Sequence, residues 1–339
     1  MSANPFDEYD TVDLFAGPGG LDLPATALGL RAIGIEKNPD ACATRRAAGL
    51  ATIEADVRRW GPEHFPAARV LLGGPPCQTF SATGTGTGRR DLDTVLHLVD
   101  RIAHRLPFQH LLGRLADERT GLVLQPLIWA VRAHDLGRPF RTILLEQVPA
   151  VLPVWEAFAV VLRDLGHFTA AGVVRAEQYG VPQTRRRGAL LASLDGPVDL
   201  PAPTHHAYRP GVPAVVGGTG LLPWAAMRDV LPHRGRFTVI SNYGTGGDRK
   251  ARGRRTQDEP SATVTGKISR VRVLGADGTE SRFTWAEAGA LQTFPVDHPW
   301  RGRDIGQQIG NAVPPLLGRH LLTAALAPAG IGSAALAAA

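Results

Sequence analysis

Cys77 is one of only two cysteines among 339 residues, and it stands directly behind Pro75 and Pro76 in the stretch GGPPCQTFS (73–81). The two prolines fix φ and withhold backbone donors, so the thiol is carried on a stiff, extended support. Two readings fit that placement: a small buried filler beside a loop staple, or a thiolate aimed at an electrophile. The second requires access and a partner that handles protons. Glu146, near the end of the apolar run FRTILLEQV (140–148), is a candidate partner. Gln183, Arg185 and Arg187 alternate in QYGVPQTRRRG (178–188), and planar guanidinium groups can hold a carboxylate and a ring carbonyl through paired hydrogen bonds. Taken singly, a lone cysteine reads as core, a strand-end glutamate as solvated and an arginine run as surface. Their ordered co-occurrence favours a site.

A second set of residues suits a cofactor. DLFAGPGGLD (13–22) places Gly17, Gly19 and Gly20 between an apolar run and a helical pattern, where glycine permits a sharp turn and close approach to a ligand. Glu36 ends the next apolar run, RAIGIE, and Asp56 follows a third in IEADVR. A carboxylate at the first position can accept hydrogen bonds from ribose hydroxyls, and one at the second is placed to serve an adenine. The spacing is not GxGxxG and no Walker lysine follows the glycines, which argues against a phosphate-cradling loop. A dinucleotide and S-adenosylmethionine both remain open on these residues.

The elements that must position these groups alternate. Strands are expected at 9–17, at RAIGIE, at ARVLLGG (68–74) and at 140–148, with helices at LDLPATALGL, 92–106, 121–134 and 154–167. That order gives an α/β fold with a mostly parallel sheet, whose carboxyl edge would gather Cys77 and Glu146. From about residue 189 Pro and Gly become frequent and helical periodicity fades, returning at 284–292 and 314–327. Three regions are expected: a catalytic and cofactor-binding domain over 1–188, a smaller irregular recognition domain over 189–280, and a segment over 281–339 that packs back on the first.

Charge is distributed unevenly. Residues 181–270 hold 14 Lys and Arg against 6 Asp and Glu, while the rest of the chain carries 23 basic against 25 acidic residues. The whole net charge of +6 therefore lies in one stretch, as an electrostatic footprint on nucleic acid would require. No apolar run reaches the length of a membrane span, the acidic N-terminus is not a secretory signal, and two cysteines make neither a disulfide framework nor a zinc site. A cytoplasmic protein without a metal is expected.

Six ordered motifs resemble those of the DNA (cytosine-5)-methyltransferases. DLFAGPGG resembles the family's first cofactor motif and GGPPCQTFS its catalytic loop. QYGVPQTRRR resembles its arginine motif, and EPSATVTGK and ALQTFP resemble segments beyond the recognition region. QQIGNAVPP (307–315) resembles the closing motif. The resemblance runs from residue 9 to about 322. It implies an S-adenosylmethionine-dependent methyltransferase fold, doubly wound, acting on double-stranded DNA in bacterial manner.

By the same resemblance Cys77 attacks carbon 6 of a flipped cytosine, Glu146 serves ring nitrogen 3, and Arg187 and Arg185 complete the catalytic pocket with Gln183 beside them. The turn Phe15, Ala16, Gly17, Gly19 and Gly20 would hold the cofactor, with Glu36 at ribose, Asp56 at adenine, and Pro76, Leu122 (in DERTGL, 117–122), Asn311 and Val313 around it. Gln78, Ser81 and Gln183 would touch DNA, as would Arg249, Lys250, Arg252, Arg254 and Arg255 in the basic cluster. A monomer is expected, with a cognate restriction endonuclease as a possible companion. Other readings are cytosine-5 methylation of RNA, a DNA-binding relative with a weakened pocket, and, at fold level, a nicotinamide dehydrogenase. Two departures stand out. Gln147 replaces the family's usual Asn after the glutamate, and an amphipathic segment at 90–116 lengthens the chain between Cys77 and DERTGL.

Overall fold

Short apolar runs form the central strands of one large sheet, where both faces are buried. The computed structural model describes residues 4–76, 90–212, 220–241 and 253–331. The first seven strands are β1 (Thr11–Leu14), β2 (Ala32–Glu36), β3 (Ala51–Glu54), β4 (Val70–Gly73), β5 (Thr142–Gln147), β6 (Phe168–Arg175) and β7 (Arg186–Ser193). They lie in the order β3-β2-β1-β4-β5-β7-β6. β1 to β5 run parallel to one another, and β7 runs antiparallel to both β5 and β6.

Side chains alternate between two cores, as strand geometry requires. Leu71, Ile143, Leu145 and Leu190 enter one core; Leu72, Leu144, Ala189 and Leu191 enter the other. Such strands read as continuous apolar runs because neither face meets water. The connecting helices are α1 (Asp22–Ala27), α2 (Pro39–Ala47), α3 (Leu92–Ala103), α4 (Gln109–Leu112), α5 (Gln125–Asp135) and α6 (Leu152–Asp164). Later come α7 (Met227–Val230), α8 (Trp285–Leu291), α9 (Ile305–Asn311) and α10 (Pro315–Leu326). α3, α5 and α6 cover the first face and α10 the second, so the sheet is doubly wound as expected.

The smaller second region is present and is built on a sheet of its own. β8 (Phe237–Ile240), β9 (Arg254–Thr256), β10 (Arg272–Gly275) and β11 (Glu280–Ser281) form an antiparallel sheet in the order β11-β10-β8-β9. Its core joins Phe237, Val239 and Val273 to Ala288 and Leu291 of α8 and Ile309 of α9. Thus the segment after 281 divides, with α8 closing the small core and α10 packing on the large sheet. The 188/189 boundary also falls inside β7. Gly and Pro masked these strands, which are short and partly exposed and so lack a clear period-two pattern.

The amphipathic segment at 90–116 packs into the protein. Its helix α3 turns Val95, Leu98, Val99 and Ile102 into the main core, and Leu111 and Leu115 follow them. Removing Leu98, fully buried there, leaves a cavity; Leu98→Ala is expected to lower unfolding free energy by roughly 3 kcal/mol. Urea denaturation followed by circular dichroism checks this, and an unchanged midpoint would place the helix outside the core.

Candidate active site

The glycine turn is strained where it meets the sheet edge. β1 ends at Leu14, and Phe15, Gly17 and Gly19 then take positive φ angles of 61°, 53° and 105°. A non-glycine residue in that region is uncommon and marks a backbone held by its surroundings. Gly20 answers a different demand, since a Cβ there would lie 2.3 Å from the carbonyl oxygen of Val313. The closing segment after α9 therefore packs directly on the turn.

Three side chains hold that turn. Glu36 Oε2 accepts a hydrogen bond from the Gly17 amide at 2.9 Å, and its Oε1 accepts from Asn38 N at 2.7 Å. Arg45 of α2 donates to the Ala16 carbonyl at 3.3 Å. His298 donates to the backbone of Pro18 while its ring packs against Phe294 and Trp300. Asp56 faces the same space, with Arg58 donating to both carboxylate oxygens and Lys37 to one. Hydrogen bonds from Arg58, with help from Lys37, hold its carboxyl well below the usual carboxylate range.

At the neighbouring strand ends the chemistry changes. β5 ends in Glu146 and Gln147, and the antiparallel pairing sets Gln147 opposite Gly188 at the start of β7. That register brings Arg187 Nε within 2.8 Å of Glu146 Oε1. Glu146 is 4% exposed; burial pushes its carboxyl up, against the opposing pull of Arg187 and Arg185. A carboxyl so placed can keep a proton nearer neutral pH and pass it to a ring nitrogen. Gln147, the departure from the family's Asn, donates from Nε2 to the Pro75 carbonyl and accepts from Val148 N. Its amide thus ties the end of β5 to the proline pair.

One cavity of about 520 Å³ joins these parts, within the size range of small-molecule sites. Its walls include Phe15, Ala16, Gly17, Gly20, Glu36, Asp56, Pro76 and Leu122, together with Glu146, Arg185, Arg187, Asn311 and Val313. Carboxylates at one end and apolar walls between fit a nucleoside. Cys77, Gln78, Ser81, Arg249, Lys250 and Arg252 lie outside the described residues. The other cysteine is no nucleophile: Cys42 is fully buried, and burial pushes its thiol up to about 12.

Two expectations, those for Gln183 and Arg255, are corrected. Gln183 does not face DNA; it is fully buried, donating to the Leu291 carbonyl and Gln292 Oε1 and accepting from Val264 N. Arg185 lines the cavity, yet its guanidinium donates to the carbonyls of Val264, Gly310 and Ala312. It therefore joins the closing segment and the small sheet's flank to the arginine strand. Arg255 lies over the Tyr208 ring at 4.8 Å and donates to Pro260 and Ser261 carbonyls, so it too is committed internally. Arg254, one residue earlier on β9, is exposed.

The family model for C-5 cytosine-specific DNA methylases matches residues 9–102. Over those residues the chain is similar to that family. Among curated relatives, the type II methyltransferase M1.HphI of Haemophilus parahaemolyticus is 28% identical over 93% of this chain and 86% of its own length. M.AplI of Arthrospira platensis is 29% identical over 95% of the chain and 86% of its own. Among solved structures, S. pombe Dnmt2 superposes with a TM-score of 0.61 at 17% identity, covering 94% of this chain and 98% of that one. A putative DNA modification methyltransferase from an E. coli prophage gives 0.55 at 18%, over 93% and 97%. The chain is a DNA cytosine-5 methyltransferase, with S-adenosylmethionine as methyl donor.

Several residues around the methyltransferase cavity carry no motif signal. Arg45 in ATRRA reads as a charged helix face, and Asp22 as an ordinary first-turn acid. His298 sits in a stretch rich in Pro and aromatic residues, where nothing distinguishes it. Its burial pulls the imidazole down to about 4, so the folded protein holds it neutral while the unfolded chain protonates near 6.5. Stability attached to this group is present above about pH 6.5 and is lost as pH falls toward 4, by at most about 1.4 kcal/mol per pH unit. His298→Phe is expected to flatten that part of the profile. Denaturation of both proteins from pH 7 to 4 tests this, and parallel profiles would contradict it.

Proposed function

We propose that this methyltransferase modifies carbon 5 of a cytosine turned out of double-stranded DNA, with Cys77 as the attacking thiolate. The observation that carries the reading is the meeting of Glu146, Arg187 and the Pro75–Pro76 support in one cavity with the glycine turn. Cytosine's reacting carbons lie inside the duplex stack, so the base must leave it to reach such a pocket. S-adenosylmethionine, when bound, supplies an electrophilic methyl group. Phe15, Ala16, Gly17, Gly19 and Gly20 form its turn, Glu36 receives the ribose, Asp56 the adenine, and Pro76, Leu122, Asn311 and Val313 wall it.

The residues divide the work on the ring. Cys77 adds to carbon 6 and drives an electron pair toward carbon 5. The charge reaching ring nitrogen 3 is met by Glu146, whose burial keeps a proton at hand. Arg187 orients that carboxyl and donates to the ring carbonyl. After carbon 5 is methylated, loss of its proton and departure of the thiolate restore the aromatic ring. Gln147 fixes the separation between the carboxyl and the proline support, a distance to which such chemistry is steeply sensitive.

Gln78 and Ser81 contact the backbone at the flipped nucleotide, and Arg249, Lys250, Arg252 and Arg254 contact phosphates. The chain acts as a cytoplasmic monomer on a short site, paired with an endonuclease of the same specificity. Among the described residues no helix is long and apolar enough to cross a membrane.

Incubation with labelled donor and either duplex DNA or RNA, followed by deamination sequencing, is expected to place label at carbon 5 of cytosines in one short DNA sequence. Label confined to RNA would overturn the substrate, and label unchanged in Cys77→Ser would overturn the nucleophile. Gln147→Leu removes the tether to Pro75 and is expected to lower kcat about 100-fold, with DNA affinity unchanged in a gel-shift titration. Wild-type kcat in that variant would show the tether to be dispensable.

A further inference from the structure

Arg45 is among the most completely buried side chains of the protein. Its side chain is 0% exposed and that of its partner Asp22 is 1% exposed. The pairing is two-pronged, at 2.6 Å and 2.7 Å. Nε donates to Thr52 Oγ1 at 3.1 Å, Nη2 to the Ala51 carbonyl at 3.0 Å and Nη1 to the Ala16 carbonyl at 3.3 Å. All five guanidinium donors are therefore used. They join α2, β3, α1 and the glycine turn. β2 passes so close that a Cβ on Gly34 would meet Arg45 Nη2 at 2.0 Å. Beside the pair lies Asp13, equally buried, with Oδ1 lacking a hydrogen bond and its chain lining the cavity.

A buried ion pair is a poor source of stability, since desolvation offsets most of the attraction, and apolar pairs of similar volume often serve as well. The charge at this position therefore asks for another explanation. Ala16 lies between Phe15 and Gly17, both at positive φ, and the Arg45 bond fixes the direction of the peptide between them. The Gly17 amide is held from the other side by Glu36. We infer that Arg45, set by Asp22, is a positioning residue that preorganises the glycine turn for S-adenosylmethionine. It touches no reacting atom. Its effect reaches the donor through the shape of the Phe15–Gly17 backbone, and so acts on donor affinity rather than on the chemical step. Lysine cannot substitute, because an ammonium has three donors at one point where the fork has five in a plane.

The inference rests on the donor occupying this turn, and the test separates the two claims. Donor affinity is measured by calorimetry for wild type, Arg45→Lys and the paired replacement Asp22→Leu/Arg45→Met, with melting temperature and steady-state kinetics alongside. Both variants are expected to bind S-adenosylmethionine at least tenfold more weakly and to raise its KM similarly. kcat at saturating donor should move far less, and duplex DNA affinity should not move. The paired replacement should melt within a few degrees of wild type; should it fail to fold, Arg45→Lys alone decides. A folded variant with wild-type donor affinity would overturn the inference, as would a loss confined to melting temperature or kcat. A wild-type protein that binds no donor would overturn the cofactor reading beneath it.

Discussion

The pairing of β7 against β5 is the constraint on which the site depends. Ligands of parallel α/β sheets gather at the carboxyl ends of the strands, and a reversed strand brings its beginning to that same edge. The register that sets Gln147 opposite Gly188 therefore delivers Arg187 to Glu146. A parallel β7 would carry the arginines to the far edge of the sheet. The residues before the strand profit equally: Gln183 and Arg185 enter the junction between the large sheet, the small sheet's flank and the closing segment. One topological reversal thus serves both the reacting pocket and the joint that holds the two sheets together.

Electrostatics divide the cavity into two halves. At the turn, Glu36 and Asp56 remain acceptors, tied to backbone amides and to Arg58 and Lys37. At the other end Glu146 is drawn toward its protonated form by burial, even with Arg187 beside it. Carboxylates a few strands apart are thereby suited to different tasks, one set to accept from hydroxyls and amines, the other to give up a proton. Pro75 and Pro76 stand between them, fixed from below by Gln147.

Much of this was legible in the sequence. The runs that became β1, β2, β4 and β5 read as strands because both faces are buried, and the glycine turn, Glu36, Asp56 and Glu146 stand at their ends. Residues with internal duties were less legible. Gln183 and Arg255 look like surface polar groups because sequence does not show what packs over them. Arg45, Asp22 and His298 act through partners distant in the chain, and no local pattern announces a contact between α2 and a turn some thirty residues earlier. The small sheet was hidden by glycine and proline, which obscure short strands, and β7's direction is set by a pairing that periodicity does not encode. Gln147 was visible as a departure, while its bond to Pro75 was not.

The central claim is that Cys77 forms a covalent bond with the target base in this pocket. Fluorine at carbon 5 cannot leave as a proton does, so a duplex carrying 5-fluorocytosine at the modified position should arrest the reaction before the thiolate departs. Wild-type protein with S-adenosylmethionine is expected to give a complex that survives denaturing electrophoresis, with the base mapped by mass spectrometry to Cys77 and no complex from Cys77→Ser. A complex mapped elsewhere, or active protein that methylates ordinary duplex yet traps nothing, would contradict the account.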